Sequence, residues 1–227
     1  MQMNSFSKFL NSSVGKKFTM AVTGSFLMIF LIFHLVGNIT LFFGPESFNN
    51  YVTTLGIVKP LIRVIEVVLL IAFILHIFNG VKLSAENKKA RGVKYRINAS
   101  NKNSSIYSRT MFLSGSIVFI FLVLHLATFF WRFNIYDPMG LANSHQYFDI
   151  VVHIFGTWWY VFLYIIAMIL LGFHLNHGFQ SAFQTFGWNH TKYFSLIKLV
   201  GTIYAIFMAA GFASMPIYFF FFYGGSQ

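Results

Sequence analysis

The sequence predicts an all-α integral membrane protein with five transmembrane helices, forming a single transmembrane domain over residues 1–227. The first observation is composition: 57% of the residues are hydrophobic and only 9% are charged, whereas about 25% are charged in ordinary soluble domains. The second is length, because five apolar runs each reach the ~20 residues that cross a ~30 Å hydrocarbon core. Such runs form helices in lipid, since every backbone polar group needs a partner inside the segment. The third is the charge of the connecting segments.

Each predicted span has a recognisable start, end or internal feature. Lys17 opens the first span, Lys82 closes the second, Arg109 opens the third and Gln184 follows the fourth. Pro216 lies within the fifth span and is expected to kink that helix without breaking it. We place the five spans at about 17–43, 60–83, 108–132, 150–183 and 194–222.

The basic residues are concentrated on one side of the predicted topology. The N-terminal segment and the second and fourth connections carry most of them, including the run from Lys82 to Arg109. The first and third connections and their flanks hold four of the five acidic residues: Glu46, Glu66, Asp137 and Asp149. The positive-inside bias therefore puts the N-terminus in the cytoplasm and the C-terminus outside. Membrane topology explains the formal net charge of +11, and no nucleic-acid partner is predicted.

Two segments of similar sequence each end in a histidine inside an apolar run. The segment from Gly24 to His34 recurs from Gly115 to His125. A second matched pair reads His76-Ile77-Phe78-Asn79-Gly80 and His174-Leu175-Asn176-His177-Gly178. An ionisable side chain inside a membrane is costly to keep without a partner, so it indicates a functional site. The four histidines predict two metal centres, each with ligands from two helices.

The expected depth of each histidine in the membrane predicts the same pairing. With a rise of ~1.5 Å per residue, His34 lies ~26 Å and His125 ~24 Å from the inner boundary, both in the outer half. His76 lies ~9 Å and His174 ~15 Å from that boundary, both in the inner half. The expected pairs are an outer one, His34 with His125, and an inner one, His76 with His174.

Two histidines from facing helices suit haem better than zinc. Zinc normally takes four N, S or O ligands, and no acidic residue or cysteine lies near enough in the sequence to complete such a set. Haem brings four equatorial nitrogens, so two axial imidazoles complete the coordination of iron. The chain has no cysteine, so the haem would be of the non-covalent b type. With both axial positions filled, electron transfer is expected rather than oxygen chemistry.

The glycines of the repeat permit two interpretations. Gly24 and Gly115 each precede their histidine by ten residues, which is ~15 Å deeper toward the cytoplasm and at the level of the inner pair. A missing side chain there would let a second macrocycle approach the helix backbone. Close helix packing, for which small residues are favoured, explains the glycines equally well.

Three further residues are weaker candidates. His177 is expected to contact a haem propionate or the surroundings of the ligand, or to be an alternative ligand. His153, near the start of the fourth span, is either a surface histidine or part of a quinone pocket. Glu66 either forms a local ion pair with Arg63 or accepts a proton beside a quinone. The remaining histidines are expected to be solvated in loops: His145 and His190.

These features resemble the cytochrome b membrane-anchor subunit of succinate dehydrogenase and fumarate reductase, in its single-chain, two-haem (b558-type) branch. The resemblance rests on Phe30 to Asn38, on His76 with Gly80, on His125 and on Phe173 to Trp188. It implies five membrane helices, of which the first four form a bundle around two b haems. The family's ligand positions map onto this chain at His34, His76, His125 and His174.

The same resemblance implies partners and a function. A flavoprotein with covalent FAD and an iron–sulfur protein would bind on the cytoplasmic side of a bacterial inner membrane. Electrons would pass between the iron–sulfur clusters, the two haems and a quinone, usually menaquinone in this branch. The expected complex is a succinate:quinone oxidoreductase (respiratory complex II), with the succinate chemistry on a partner subunit.

Three alternatives stay open at this point. The same anchor could serve a quinol:fumarate reductase that runs in the reverse direction. The cytochrome b subunit of a hydrogenase or formate dehydrogenase also uses membrane histidines, but the spacing in the fourth span fits it less well. A proton-coupled transporter belongs to a different class. Transporters show internal repeats, but this chain lacks the pair of Gly/Pro-broken helices expected of one.

Overall fold

The computed structural model describes residues 4, 8, 9, 11–90, 106–135 and 146–223. Every regular element in these residues is helical, and no strand occurs among them. The α-helices in chain order are α1 (Ser13–Ile39), α2 (Pro45–Ile57), α3 (Lys59–Ala90), α4 (Ile106–His125), α5 (Trp131–Asn134), α6 (Tyr147–Phe155), α7 (Trp158–Thr185) and α8 (Thr191–Tyr218). Short segments of other helical type extend three of them: a 3-10 turn at Thr40–Phe43 and π turns at Leu126–Phe130 and Phe219–Tyr223.

The prediction of five membrane helices is confirmed. Within the described residues, five helical segments are long and apolar enough to cross a membrane: Ser13–Phe43, Lys59–Lys89, Thr110–Asn134, Trp158–Thr185 and Thr191–Tyr223. The last of these continues through Pro216, as expected. The chain is therefore a multi-pass membrane protein.

The connection between the first two spans contains α2, which hydropathy did not predict. Gly44 precedes this helix with φ of +93° and ψ of −178°, a conformation that is essentially limited to glycine. Pro45 follows in the first turn, where its missing N–H leaves no hydrogen bond unmade. Glu46 adds a negative charge at the same helix N-terminus, which the helix dipole favours. The Gly-Pro-Glu sequence thus ends one element and starts the next.

The start of the fourth predicted span, 150–183, was wrong. The long helix α7 begins at Trp158, and the residues before it form the separate helix α6. The N–H of Gly156 donates to the carbonyl of Val152 at 2.9 Å where α6 ends, and the carbonyl of Thr157 accepts the first bonds of α7. A continuous helix over 150–183 would be ~51 Å long, well beyond the ~30 Å core. One apolar run therefore covers two elements.

Two other helix ends have clear physical causes. Helix α3 continues beyond its predicted end at 83 to Ala90, and the lysines in its last turn favour a helix C-terminus. Helix α7 ends in a Schellman motif, in which Gly187 has φ of +83° and the N–H of Trp188 donates to the carbonyl of Phe183 at 2.9 Å. The rings of Phe183 and Trp188 lie 5.4 Å apart between centres, the hydrophobic contact that accompanies this motif.

The chain forms two compact units, and each of the five long helices contributes a part to both. The first unit comprises residues 1–30, 66–114 and 173–205, and the second comprises residues 31–65, 115–172 and 206–227. This division does not test the single transmembrane domain, which stays a prediction.

Polar contacts hold neighbouring helices together in the first unit. The hydroxyl of Tyr204 on α8 donates to the main-chain oxygen of Met28 on α1 at 2.7 Å. The ammonium of Lys16 on α1, which is almost fully buried, bonds both carboxylate oxygens of Glu86 on α3 at 2.5 and 2.7 Å. Lipid tails are as apolar as leucine, so such bonds help decide which membrane helices associate.

Tyr204→Phe is expected to weaken the first unit without changing its fold. The substitution removes the hydroxyl that bonds Met28 and leaves the ring in place, so the free energy of unfolding should fall by about 0.5–1.5 kcal/mol. Denaturant or thermal unfolding in detergent measures this change. Tyr193→Phe is the control, because Tyr193 is exposed near the start of the same helix. An equal effect of the two substitutions would contradict a specific role for the bond.

The second unit has an aromatic core and a close helix contact. Phe155 stacks on Phe219 with ring centres 6.3 Å apart and meets Tyr164 edge-on at 5.5 Å. Gly211 of α8 lies against Leu35 of α1, and a Cβ at that glycine would lie 2.8 Å from Leu35 Cδ2. The missing side chain therefore lets the two helices approach each other closely, as small residues do in membrane bundles.

Candidate functional site

The first unit brings His76 of α3 and His174 of α7 together. The centres of their imidazole rings are 6.3 Å apart, and the ring planes are inclined at 67°. Both residues are half-buried. The Nδ1 atom of His174 is fully buried and has no hydrogen-bond partner among the described residues. Two imidazoles on separate helices thus face each other across a distance that one atom could bridge.

The ring of His76 packs against helix α1. The hydroxyl oxygen of Thr23, a buried residue, lies 3.3 Å from His76 Nδ1. The same hydroxyl donates to the carbonyl of Thr19 at 2.7 Å. A Cβ at Gly24 would lie 3.1 Å from His76 Cε1, so this glycine admits the histidine ring itself to the surface of α1. The contact at Gly24 is thus with a side chain of α3, which agrees with close helix packing, and the approach of a macrocycle stays a prediction.

The second unit brings the other two histidines together. His34 lies on α1 and His125 is the last residue of α4, and their ring centres are 5.8 Å apart with planes at 89°. The Nδ1 atom of His125 is buried without a hydrogen-bond partner in the described part of the chain. The side-chain amide of Asn38 donates to the main-chain oxygen of His34 at 2.7 Å and lies 3.5 Å from both of its ring nitrogens.

Aromatic side chains surround the His34–His125 pair. Phe212 of α8 lies 5.6 Å from His34 between ring centres. Phe121 and Phe129 lie 5.6 and 5.1 Å from His125. Phe129 belongs to the π turn that begins directly after His125. Such turns are rare and frequently occur at functional sites.

Both pairs fit the axial coordination of a haem iron. A metal held between two imidazole nitrogens, with bonds of about 2 Å on each side, sets the ring centres about 6 Å apart. The two pairs have this separation. No group of three or more His, Asp or Glu side chains within the described residues could hold a metal ion. Each pair would therefore need its other ligands from a group such as a porphyrin, which supplies four.

The remaining predicted residues have the following positions. His177 is half-buried on α7 in the first unit, three residues after His174 along the helix. Glu66 is half-buried on α3 in the first unit, and His153 is exposed on α6 in the second. His190 is exposed between α7 and α8, as expected. Some residues singled out above lie outside the described part of the chain: His145, Asp137 and the part of the basic run at 91–105.

Sequence reasoning missed two neighbours of the histidines. Thr23 contacts a residue 53 positions away in the sequence, so no local pattern could reveal it. Asn38 lies four residues after His34 on one helix face, so helical spacing could have indicated its contact. The π turn after His125 has no sequence signal that we recognise.

Part of this geometry lies in a segment that matches a known family. Residues 18–102 match the family model of the succinate dehydrogenase/fumarate reductase transmembrane subunit. The segment is somewhat over a third of the chain, and it contains one histidine of each pair, His34 and His76. No curated protein and no solved structure matches the chain. Over residues 18–102, the chain is therefore similar to these transmembrane subunits.

Proposed function

We propose that the chain is the di-haem cytochrome b anchor of a succinate:quinone oxidoreductase, which passes electrons between an iron–sulfur subunit and a membrane quinone. His34 with His125 would bind the outer haem b, and His76 with His174 the inner one. The N-terminus would lie in the cytoplasm and the C-terminus outside. Flavoprotein and iron–sulfur subunits would bind the cytoplasmic face of a bacterial inner membrane, and menaquinone is the proposed quinone.

One observation carries the proposal: two separate imidazole pairs have ring separations of 6.3 and 5.8 Å. Each pair comes from two helices within one compact unit. The segment that matches the family contributes His34 and His76, and their partners come from α4 and α7 outside it. A single proton-relay histidine would need no such matched partner, so the pairing favours an electron-transfer subunit.

The chain's own residues would position the ligands and exclude water. A bound b haem supplies one-electron transfer, and its potential depends on the axial ligands, nearby charges and solvent access. Each histidine offers a neutral imidazole nitrogen from a long helix, so the donor atoms are fixed by secondary structure. The phenyl rings packed around His34 and His125 would limit the access of water to that pair. A dry site strengthens the effect of every nearby charge.

Glu66 and His153 are the proposed quinone contacts. Quinone reduction takes up protons as well as electrons, so a site needs groups that donate or accept them. A half-buried carboxylate and an exposed imidazole both meet this need. Succinate oxidation is the proposed direction, and a quinol:fumarate reductase would use the same anchor in reverse.

The test is a reduced-minus-oxidised optical spectrum of the purified complex, with extraction and quantification of protohaem. We expect two b haems per chain, together with co-purified subunits that carry FAD and iron–sulfur clusters. A folded, colourless chain without protohaem would overturn the proposal in favour of a transporter. Two haems with partners that lack FAD would instead support the hydrogenase or formate dehydrogenase alternative.

A further inference from the structure

We propose that Thr23 is a positioning residue that fixes the protonation and orientation of His76 and thereby sets the properties of the inner haem. The inference rests on the proposed function, since it concerns a ligand of that haem. The proposed ligands differ in the hydrogen bonding of their Nδ1 atoms. Nδ1 of His76 has a hydroxyl partner, whereas Nδ1 of His174 and of His125 is buried without a partner among the described residues.

The hydrogen bonds of Thr23 decide which nitrogen of His76 carries the proton. A hydroxyl has one proton to donate, and Thr23 donates it to the carbonyl of Thr19 at 2.7 Å. The lone pairs of the hydroxyl oxygen then face His76 Nδ1 at 3.3 Å, so Nδ1–H is the donor in that contact. Nε2 is thereby left unprotonated and free to bind iron.

The same contact acts on the metal through the ligand. A hydrogen bond from the non-ligating nitrogen raises the basicity of a histidine ligand and fixes its ring orientation. A more basic ligand stabilises the oxidised iron more than the reduced iron. The hydroxyl of Thr23 therefore lowers the midpoint potential of the haem that His76 binds. Gly24, the next residue on α1, leaves room for the ring, because a Cβ there would lie 3.1 Å from His76 Cε1.

The test compares Thr23→Val with Thr23→Ser in the intact complex. Valine has nearly the shape of threonine without the hydroxyl, and serine restores the hydroxyl. We expect Thr23→Val to shift the midpoint potential of one b component upward and to weaken its haem retention about 10-fold. The shifted component should be the one that His76→Ala removes. Thr23→Ser should keep the midpoint potential and the haem retention of that component close to those of the wild type. The second b component should be unchanged in both variants, and its presence shows that the subunit is folded.

Matched controls separate this role from general effects on α1. Thr19→Val removes a hydroxyl that donates to the carbonyl of Gly15 one turn earlier, and it should leave both potentials unchanged. Gly24→Ala should perturb the same component as Thr23→Val, because its Cβ would lie 3.1 Å from His76 Cε1. Gly80→Ala is its control, since a Cβ there makes an ordinary contact of 3.6 Å with Met20 Cε.

The outcomes distinguish this inference from the proposed function. A wild-type complex without protohaem overturns both. If the wild type holds two haems and Thr23→Val leaves both potentials unchanged, the role of Thr23 is wrong and the proposed function stands. Equal shifts in Thr23→Val and Thr23→Ser would also overturn the role, because they would show that shape rather than the hydroxyl matters.

Discussion

His76→Ala is expected to remove one of two b-haem components from the reduced-minus-oxidised spectrum and to leave the other. The imidazole of His76 faces that of His174 at 6.3 Å between ring centres. A haem held by these two residues loses half of its axial ligation when either is truncated. His174→Ala should therefore remove the same component. His34→Ala and His125→Ala should remove the other one, because their rings form the separate pair at 5.8 Å.

Three comparisons make this experiment specific. His190→Ala is the matched control, because this histidine is exposed between α7 and α8 and should leave both components intact. His177→Ala tests the alternative ligand: if it removes a component that His174→Ala retains, the pairing with His174 is wrong. Added imidazole should restore part of the missing component in His76→Ala by filling the space of the lost ligand. Equal loss of both components from a folded His76→Ala subunit would contradict two separate pairs.

Glu86→Gln is expected to destabilise the subunit because it leaves the ammonium of Lys16 buried without a counter-ion. Only 7% of the Lys16 side chain is exposed, compared with 42% of the Glu86 side chain. Breaking a fully buried ion pair costs about 3–5 kcal/mol. Water near Glu86 reduces that cost, so we expect a loss of about 1–3 kcal/mol. Thermal unfolding in detergent should show a Tm lower by about 2–10 °C.

The double variant Lys16→Met/Glu86→Leu is the control for the ion pair. Replacing both charges by apolar side chains of similar size removes the desolvation cost together with the attraction, so stability should return close to that of the wild type. Both variants should keep two b-haem components, because neither residue belongs to a histidine pair. A double variant as unstable as Glu86→Gln would show that the packing of these side chains, rather than the unpaired charge, decides stability.

The sequence was sufficient to predict the five spans because lipid permits few structures. An apolar run of ~20 residues must become a helix there, so composition alone determines the element. The division between α6 and α7 could not be found in this way, since both sides of Gly156 are apolar. Helix α2 was missed because its residues are too polar and its length too short for the hydropathy signal.

The candidate site was only partly accessible from sequence. The histidines stood out because a repeated ionisable residue in an apolar run has few explanations, and depth along each helix suggested their partners. Thr23 and the Lys16–Glu86 pair could not be predicted, because hydropathy does not tell which helix faces touch. Membrane helices choose neighbours through packing and hydrogen bonds, and these contacts depend on the rotation of each helix about its axis.

The π turn after His125 determines such a rotation for the end of its span. Successive residues of an α-helix are ~100° apart about the axis, and a π turn accommodates one additional residue. Asn134, whose side-chain oxygen accepts a hydrogen bond from Arg63 at 3.0 Å, owes its angular position to the π turn. If the same residues of Leu126–Phe130 were wound as a regular α-helix, Asn134 would turn by ~100° and lose this bond while His125 kept its place. Deleting one residue from the segment should instead allow a regular helix that keeps Asn134 beside Arg63. The local helix type, which no hydropathy profile records, thus decides which side of the helix its last residues occupy.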